Sequence, residues 1–282
     1  MAESEDQQMK QEHRLKSVPL ARKVSEEGAQ VAAFFDLDGT LTPKPSLEKR
    51  CFSMLRHRHL IGARNYFWWL AESIRLVPGG ISQIMHANKL YLRGVRMDEA
   101  IFGASSSFPS FFPEAIERAA WHAERGDSIV IVSGTLEPLA LLAARALEAE
   151  LGSRGRACRI SVCATRLEEK NERWAGRILG EALLGEAKAR AIRRIAAETD
   201  LDLEQCFAYG DNASDRWMLE AAGKPAAVNP SNDLARIARR SDWPVLCWGR
   251  EKDFTQGVRR TQRTEKMEKG LRVESVNTGH GA

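Results

Sequence analysis

The sequence predicts an α/β protein: a doubly wound parallel sheet with a small α-helical cap inserted after its first strand. Three observations carry this. Continuous apolar runs at Val31–Phe35, Ser128–Val132 and Cys206–Tyr209 read as strands covered on both faces. From residue 109 onward such runs alternate with helical stretches, the order that builds parallel sheets. Between Thr42 and about Phe108 the strand signals vanish and only helical patterns remain.

Taken in order, strands are expected over 31–35, 128–133, 160–165, 205–209, 225–228 and 244–248. Helices are expected over 113–126, 136–151, 185–199, 213–222 and 231–240. Ligands of such sheets bind outside the carboxyl ends of the strands. Trp174 to Leu184, with Gly176 and Gly180, reads as a hairpin on the sheet's edge. The insertion reads as helices 46–60, 63–77, 80–93 and 97–104, broken at Gly62, Pro78-Gly79-Gly80 and Gly94. An insertion at this place is the expected position of a lid that excludes water and selects a substrate. Its Tyr66-Phe67-Trp68-Trp69-Leu70 run, with Ile74, Leu76 and Val77, is expected to fill a small helical bundle. The other reading is a greasy wall for an apolar leaving group, or a membrane-docking face. His57 and His59 are read as part of a solvated face.

The division that follows is a polar, disordered tail at 1–28, a catalytic core at 29–42 and 109–249, a helical cap at 43–108, and a charged, disordered tail at 250–282. A chain of 282 residues can support one sizeable core plus a smaller domain. Net charge is +4, and residues 250–272 hold eight Lys/Arg against four Asp/Glu, an excess of four that accounts for all of it. The folded part is then near neutral, which argues against nucleic acid as a partner. The tail's basic residues leave peripheral contact with an anionic membrane open, though interspersed acids weaken it. No run of about 18 apolar residues exists to span a bilayer. No hydrophobic leader is visible at the N-terminus. The five cysteines (51, 158, 163, 206 and 247) lack metal-binding spacing and read as reduced core thiols of a cytoplasmic protein. Nothing in the sequence bears on oligomeric state.

Four short segments carry the chemistry. After the first strand come Asp36-Leu37-Asp38-Gly39-Thr40, with two carboxylates two residues apart that project to one side while the chain stays extended. Two acids crowded at a sheet edge repel each other, which a divalent cation relieves. Ser133-Gly134-Thr135 ends a second strand just before a helix, where a small hydroxyl and unpaired N–H groups make an anion site. An ordinary strand–turn–helix with Thr135 as N-cap shares that geometry. Gly210-Asp211-Asn212-Ala213-Ser214-Asp215 repeats the strand-to-acid arrangement, placing Asp211 to bind a hard cation through oxygen. Lys188 opens a long helix. A phosphoryl group among several carboxylates needs such an ammonium to offset transition-state charge.

These four segments resemble the motifs of the haloacid dehalogenase-like (HAD) superfamily, in its phosphoserine-phosphatase-like branch. The likeness covers roughly residues 30 to 248, with only the cap poorly matched. It implies a HAD-like Rossmannoid core and a Mg²⁺-dependent phosphomonoester hydrolase working through an aspartyl-phosphate. On that likeness Asp36 is the nucleophile. Asp38 is the general acid and then the base, and Ser133 with the Gly134 and Thr135 N–H groups binds phosphate. Lys188 neutralises the transferring group. Asp36, Asp211 and the Asp38 carbonyl hold Mg²⁺, and Asp215 orients Lys188 or a metal-bound water.

The sequence departs from true phosphoserine phosphatases at the group that reads the serine ammonium. A glutamate there corresponds to Pro45, and the arginine that reads the carboxylate falls on Phe102. A zwitterion would leave both charges unpaired under a lid, which is costly. The expected substrate is therefore a phosphorylated small molecule other than phosphoserine, or a lipid or other apolar phosphate. Alternatives on the same scaffold are a phosphotransferase, a phosphoserine or small-metabolite phosphatase, and a non-catalytic binding protein. The last has no need for a complete acid, base, lysine and metal set.

Overall fold

The computed structural model describes residues 31–77, 88–98 and 110–249. Six parallel strands form the central sheet: β1 (Ala32–Phe35), β2 (Ser128–Leu136), β3 (Ile160–Thr165), β6 (Phe207–Gly210), β7 (Lys224–Val228) and β8 (Val245–Leu246). Their spatial order is β3-β2-β1-β6-β7-β8, with Phe35 level with Ile131 on one side and Tyr209 on the other. The order runs outward in both directions from β1. The crevice beyond its carboxyl end is therefore the switch point where ligands of such sheets bind.

Successive side chains of β1 point to opposite faces, and each face has its own core. Ala33 and Phe35 pack with α3 (Pro113–Arg125) and α4 (Glu137–Ser153), through Ala115, Ala119, Leu139 and Ala143. Ala32 and Phe34 pack with α5 (Glu186–Thr199) and α7 (Asn232–Arg240), through Ile192, Ile195, Leu234 and Ala238. Phe34 and Phe35 are completely buried, and each such ring contributes about 1.5–3 kcal/mol of transfer free energy. A fully apolar β1 is thus what a strand with helices on both faces requires.

The sequence reading needs five corrections here. Arg173–Ile178 (β5) does form a hairpin, but its partner is the preceding Leu167–Lys170 (β4), and the two make a separate sheet. The turn is Asn171-Glu172, both at positive φ. Trp174 exchanges backbone hydrogen bonds with Gly94 and Val95, so the hairpin braces the returning end of the insertion. The helix expected at 213–222 is broken into a 3₁₀ turn at Ala213–Asp215 and the short α6 at Arg216–Glu220. Residues 90–92 form a 3₁₀ turn and do not end a helix, while the parts expected at 80–87 and 99–104, and both tails, lie outside the described residues. All five cysteines are free, but Cys247 is exposed and not a core thiol.

The fifth correction concerns the insertion. Its first helix, α1 (Leu47–His57), is capped by Ser46, whose hydroxyl accepts from the Lys49 N–H, and it buries Leu47, Cys51 and Leu55. His57 and His59 are exposed, as expected. The second helix, α2 (Ala63–Leu76), was expected to bury its aromatic run, yet Phe67 is 66% and Ile74 67% exposed. The physical reason is how α2 is fastened. Asn65 donates to the Tyr91 and Arg93 carbonyls, and Asn88 donates to the Trp69 carbonyl and Ser73 hydroxyl. Among the described residues, these polar contacts fasten one side of α2, while Tyr66, Phe67 and Trp68 are exposed and Trp69 is half-buried. No helix among the described residues is long and apolar enough to cross a membrane.

Candidate active site

β1 ends as the Asp36 N–H donates to the Tyr209 carbonyl of β6 (2.9 Å), and the chain then turns tightly. Leu41 and Thr42 N–H groups donate back to the Leu37 carbonyl, and Gly39 N–H to the Thr42 carbonyl. Gly39 sits at φ +100°, and a Cβ there would stand 2.4 Å from Asp211 Oδ2. Only glycine lets the first turn and the sixth strand's exit approach so closely.

Lys188 is the hub. Its ammonium donates to Asp36 Oδ1 at 2.6 Å and to Asp215 Oδ1 at 2.7 Å, although 152 and 27 residues separate them in sequence. Asp215 is held in turn by the Asn212 N–H on its Oδ2 (3.0 Å). Gly210 makes room for this return, since a Cβ there would lie 2.6 Å from that of Asp215. Carboxylate oxygens of Asp36, Asp211 and Asp215 lie within 4.8 Å of one another, and all three residues are buried. Asp38 points to a different set of partners. The Leu47 N–H at the start of α1 donates to its Oδ1 (2.9 Å), and the Thr135 hydroxyl donates to its Oδ2. The second carboxylate of the first motif thereby ties the insertion to the core.

The titration directions all point the same way. Burial, with repulsion from Asp215 and Asp211, pushes the Asp36 carboxyl up to about 8 against the pull of Lys188. Burial also raises Asp211, opposed by Lys44, and raises Asp38, opposed by Thr135 and the Leu47 N–H. Burial opposes charge on Lys188, but Asp215 and Asp36 outweigh it and hold the ammonium above its ordinary value. Acids and lysine alike prefer their more positive forms, so the cluster is short of positive charge. A proton or a metal ion would supply it.

A divalent cation fits the donor set. Asp211 Oδ2 is buried and makes no well-formed hydrogen bond, its one close partner being the Lys44 ammonium at 2.6 Å. Asp36 and Asp211 offer the hard oxygen donors that a cation such as Mg²⁺ would take.

The structure brings Asp36, Lys188, Asp211 and Asp215 together directly. Asp38 belongs to a second set: the Thr135 hydroxyl donates to it, and the Thr135 N–H donates to Ser133 Oγ (3.1 Å). Thr135 is therefore not an N-cap: β2 runs on through Leu136, and α4 begins at Glu137. Nor is its N–H unpaired, as the anion-site reading had it, because Ser133 takes it. Phe102 lies outside the described residues. Two residues escaped the sequence reading. Lys44 has no periodic or motif signal, and its role depends on a loop reaching across to β6. Glu48 is engaged by the Lys89 ammonium and the Tyr91 hydroxyl, partners more than 40 residues away.

The pattern of the haloacid dehalogenase-like hydrolases matches residues 33–220. A Mycobacterium tuberculosis protein named "probable phosphatase" is 32% identical over 235 residues, covering 79% of this chain and 77% of that one. A phosphoserine phosphatase of the same organism is 27% identical over 225 residues, covering 76% and 70%. A crystal structure of a Bordetella pertussis protein of unknown function superposes with a TM-score of 0.60 at 24% identity, covering 78% and 99%.

Proposed function

The chain belongs to the haloacid dehalogenase-like hydrolases, and on that premise we propose that it is a Mg²⁺-dependent phosphomonoester hydrolase with Asp36 as nucleophile. The observation that carries this reading is the Lys188 ammonium joining Asp36 to Asp215, with Asp211 alongside. The naming of two relatives as phosphatases supports it.

Asp36 attacks phosphorus in line with the departing oxygen and becomes an aspartyl-phosphate. Its oxygen is a usable nucleophile because Lys188 orients it and offsets negative charge as the phosphoryl group arrives. Asp38 donates a proton to the leaving oxygen. Burial favours its protonated form, and Thr135 and the Leu47 N–H fix its direction. As carboxylate it then takes a proton from the water that hydrolyses the intermediate. Ser133, with the Gly134 N–H, holds a phosphate oxygen, while the Thr135 side chain serves Asp38. Mg²⁺, held by Asp36, Asp211 and the Asp38 carbonyl, would neutralise charge on the phosphoryl oxygens. Asp215 positions Lys188.

Phosphoserine is disfavoured as substrate. Glu48 is the sole carboxylate between residues 39 and 71, and Lys89 and Tyr91 already engage it. An incoming ammonium would have to break that pairing. The exposed rings of α2 support a lipid or other apolar phosphate as the refinement. The test is phosphate release from a panel of sugar phosphates, phosphoserine and lysophosphatidate, with Mg²⁺ and with chelator. Release from the panel that Asp36→Asn leaves unchanged would remove the mechanism. Lipid phosphates turning over no faster than sugar phosphates would remove the refinement.

A further inference from the structure

Lys44 is out of place for a surface lysine. Its stem is 59% exposed, in the loop between the catalytic turn and α1, yet its ammonium lies 2.6 Å from the buried Asp211 Oδ2. The route is shaped for it. A Cβ on Gly39 would fall 2.8 Å from Lys44 Cε, so the bare backbone of the turn lets the lysine reach in. The carboxylate it meets is the one that a divalent ion needs, and two cations cannot share one oxygen without strong repulsion.

We propose that Lys44 is an internal competitor of the divalent cation. It neutralises Asp211 while the metal is absent and must swing outward for the metal to enter. The exposed stem permits that swing, since water receives the released ammonium. Metal affinity is therefore set below what the carboxylates alone would give. The inference rests on the phosphatase reading only in taking Asp211 as a metal ligand.

Two measurements on the full chain test it, neither through turnover. Calorimetric titration with Mg²⁺ should show Lys44→Met and Lys44→Gln binding about tenfold more tightly than wild type, a coupling of ordinary size between two ligands of one site. In the wild-type protein, Mg²⁺ should raise labelling of Lys44 by an amine-reactive reagent, read by mass spectrometry, because the ammonium is released. Equal or weaker Mg²⁺ binding by both variants, or labelling that Mg²⁺ leaves unchanged, overturns the proposal. A wild type that binds Mg²⁺ with these signatures but hydrolyses no phosphomonoester sinks the phosphatase reading and leaves the competition standing.

Discussion

The buried acid–lysine cluster and helix α2 break the ordinary rule of burial in opposite directions. Asp36, Lys188, Asp211 and Asp215 are charged and at most 6% exposed, whereas Phe67, Leu70 and Ile74 are apolar and more than half exposed. Buried charge is tolerated only where partners satisfy it, and here the carboxylates outnumber the ammonium that joins them. An exposed ring costs folding free energy that burial would have gained. The contrast separates two kinds of site: one organised by electrostatic need among fixed neighbours, the other a surface whose apolar content the fold does not use.

The strongest way to break the comparison is at Asp36. Asp36→Asn keeps the side chain's shape and its place beside Lys188 but removes the carboxylate proposed as nucleophile. It should lower kcat by on the order of 10⁴-fold, with circular dichroism unchanged. Retained turnover would mean that the buried charges are structural. Lys188→Met comes next, with a loss of about 10²–10³-fold in kcat, as for removal of one electrostatic stabiliser. Gly39→Ala should weaken Mg²⁺ binding by about 10–100-fold, because its Cβ would occupy the space of Asp211 Oδ2, and displaced metal ligands cost that much. Calorimetry reads it directly.

The pH dependence of stability is a smaller effect with a definite sign. Burial raises the Asp36 pKa to about 8, above its unfolded value, so its contribution is fully present below the unfolded pKa of 3.8 and lost as pH rises through 8. His122 has the opposite sign. Burial lowers it from 6.5 to about 4, so its contribution is lost as pH falls through that range. Between about pH 7.5 and 8, a unit or more above 6.5, His122 is almost wholly neutral in both states and the acid cluster acts without it. In chelator, Tm should fall as pH rises across that window, and Mg²⁺ should flatten the slope. A Tm that rises there would contradict the charge deficit.

The smallest effect is expected on α2. Phe67→Ser should change unfolding free energy by no more than about 0.5 kcal/mol, as at other exposed positions. Leu55→Ala, in the buried face of α1, should cost about 2–5 kcal/mol. A Phe67 variant as costly as the Leu55 one in denaturant titration would show that the ring is covered.

The central sheet was legible because its inner strands, β1, β6 and the first half of β2, are short, mostly apolar runs buried on both faces. The strand ends were legible too, since Gly39 and Gly210 stand where the chain must turn sharply. Other features left no such trace. The hairpin was shifted because Leu167–Lys170 carries mostly charged residues and reads as loop until paired with β5. The aromatic run of α2 was placed in a bundle because hydrophobicity states what could be buried, not what partner is available. Thr135 was assigned to phosphate since its neighbours suggested an anion site, while its hydroxyl in fact serves Asp38.

By itself the sequence determined the parallel sheet, the order of the four chemical segments and the candidates for the reacting groups. All of these follow from local rules: side-chain alternation, strand-to-turn chemistry, and carboxylates set next to a glycine. The tertiary structure alone decided that Lys188 bridges Asp36 and Asp215, that Lys44 reaches Asp211, and that Glu48 is taken by Lys89 and Tyr91. Apart from Lys188 and Asp215, these pairs are 41 or more residues apart in sequence. Which charges meet across such separations depends on how whole elements pack, and no residue spacing encodes it.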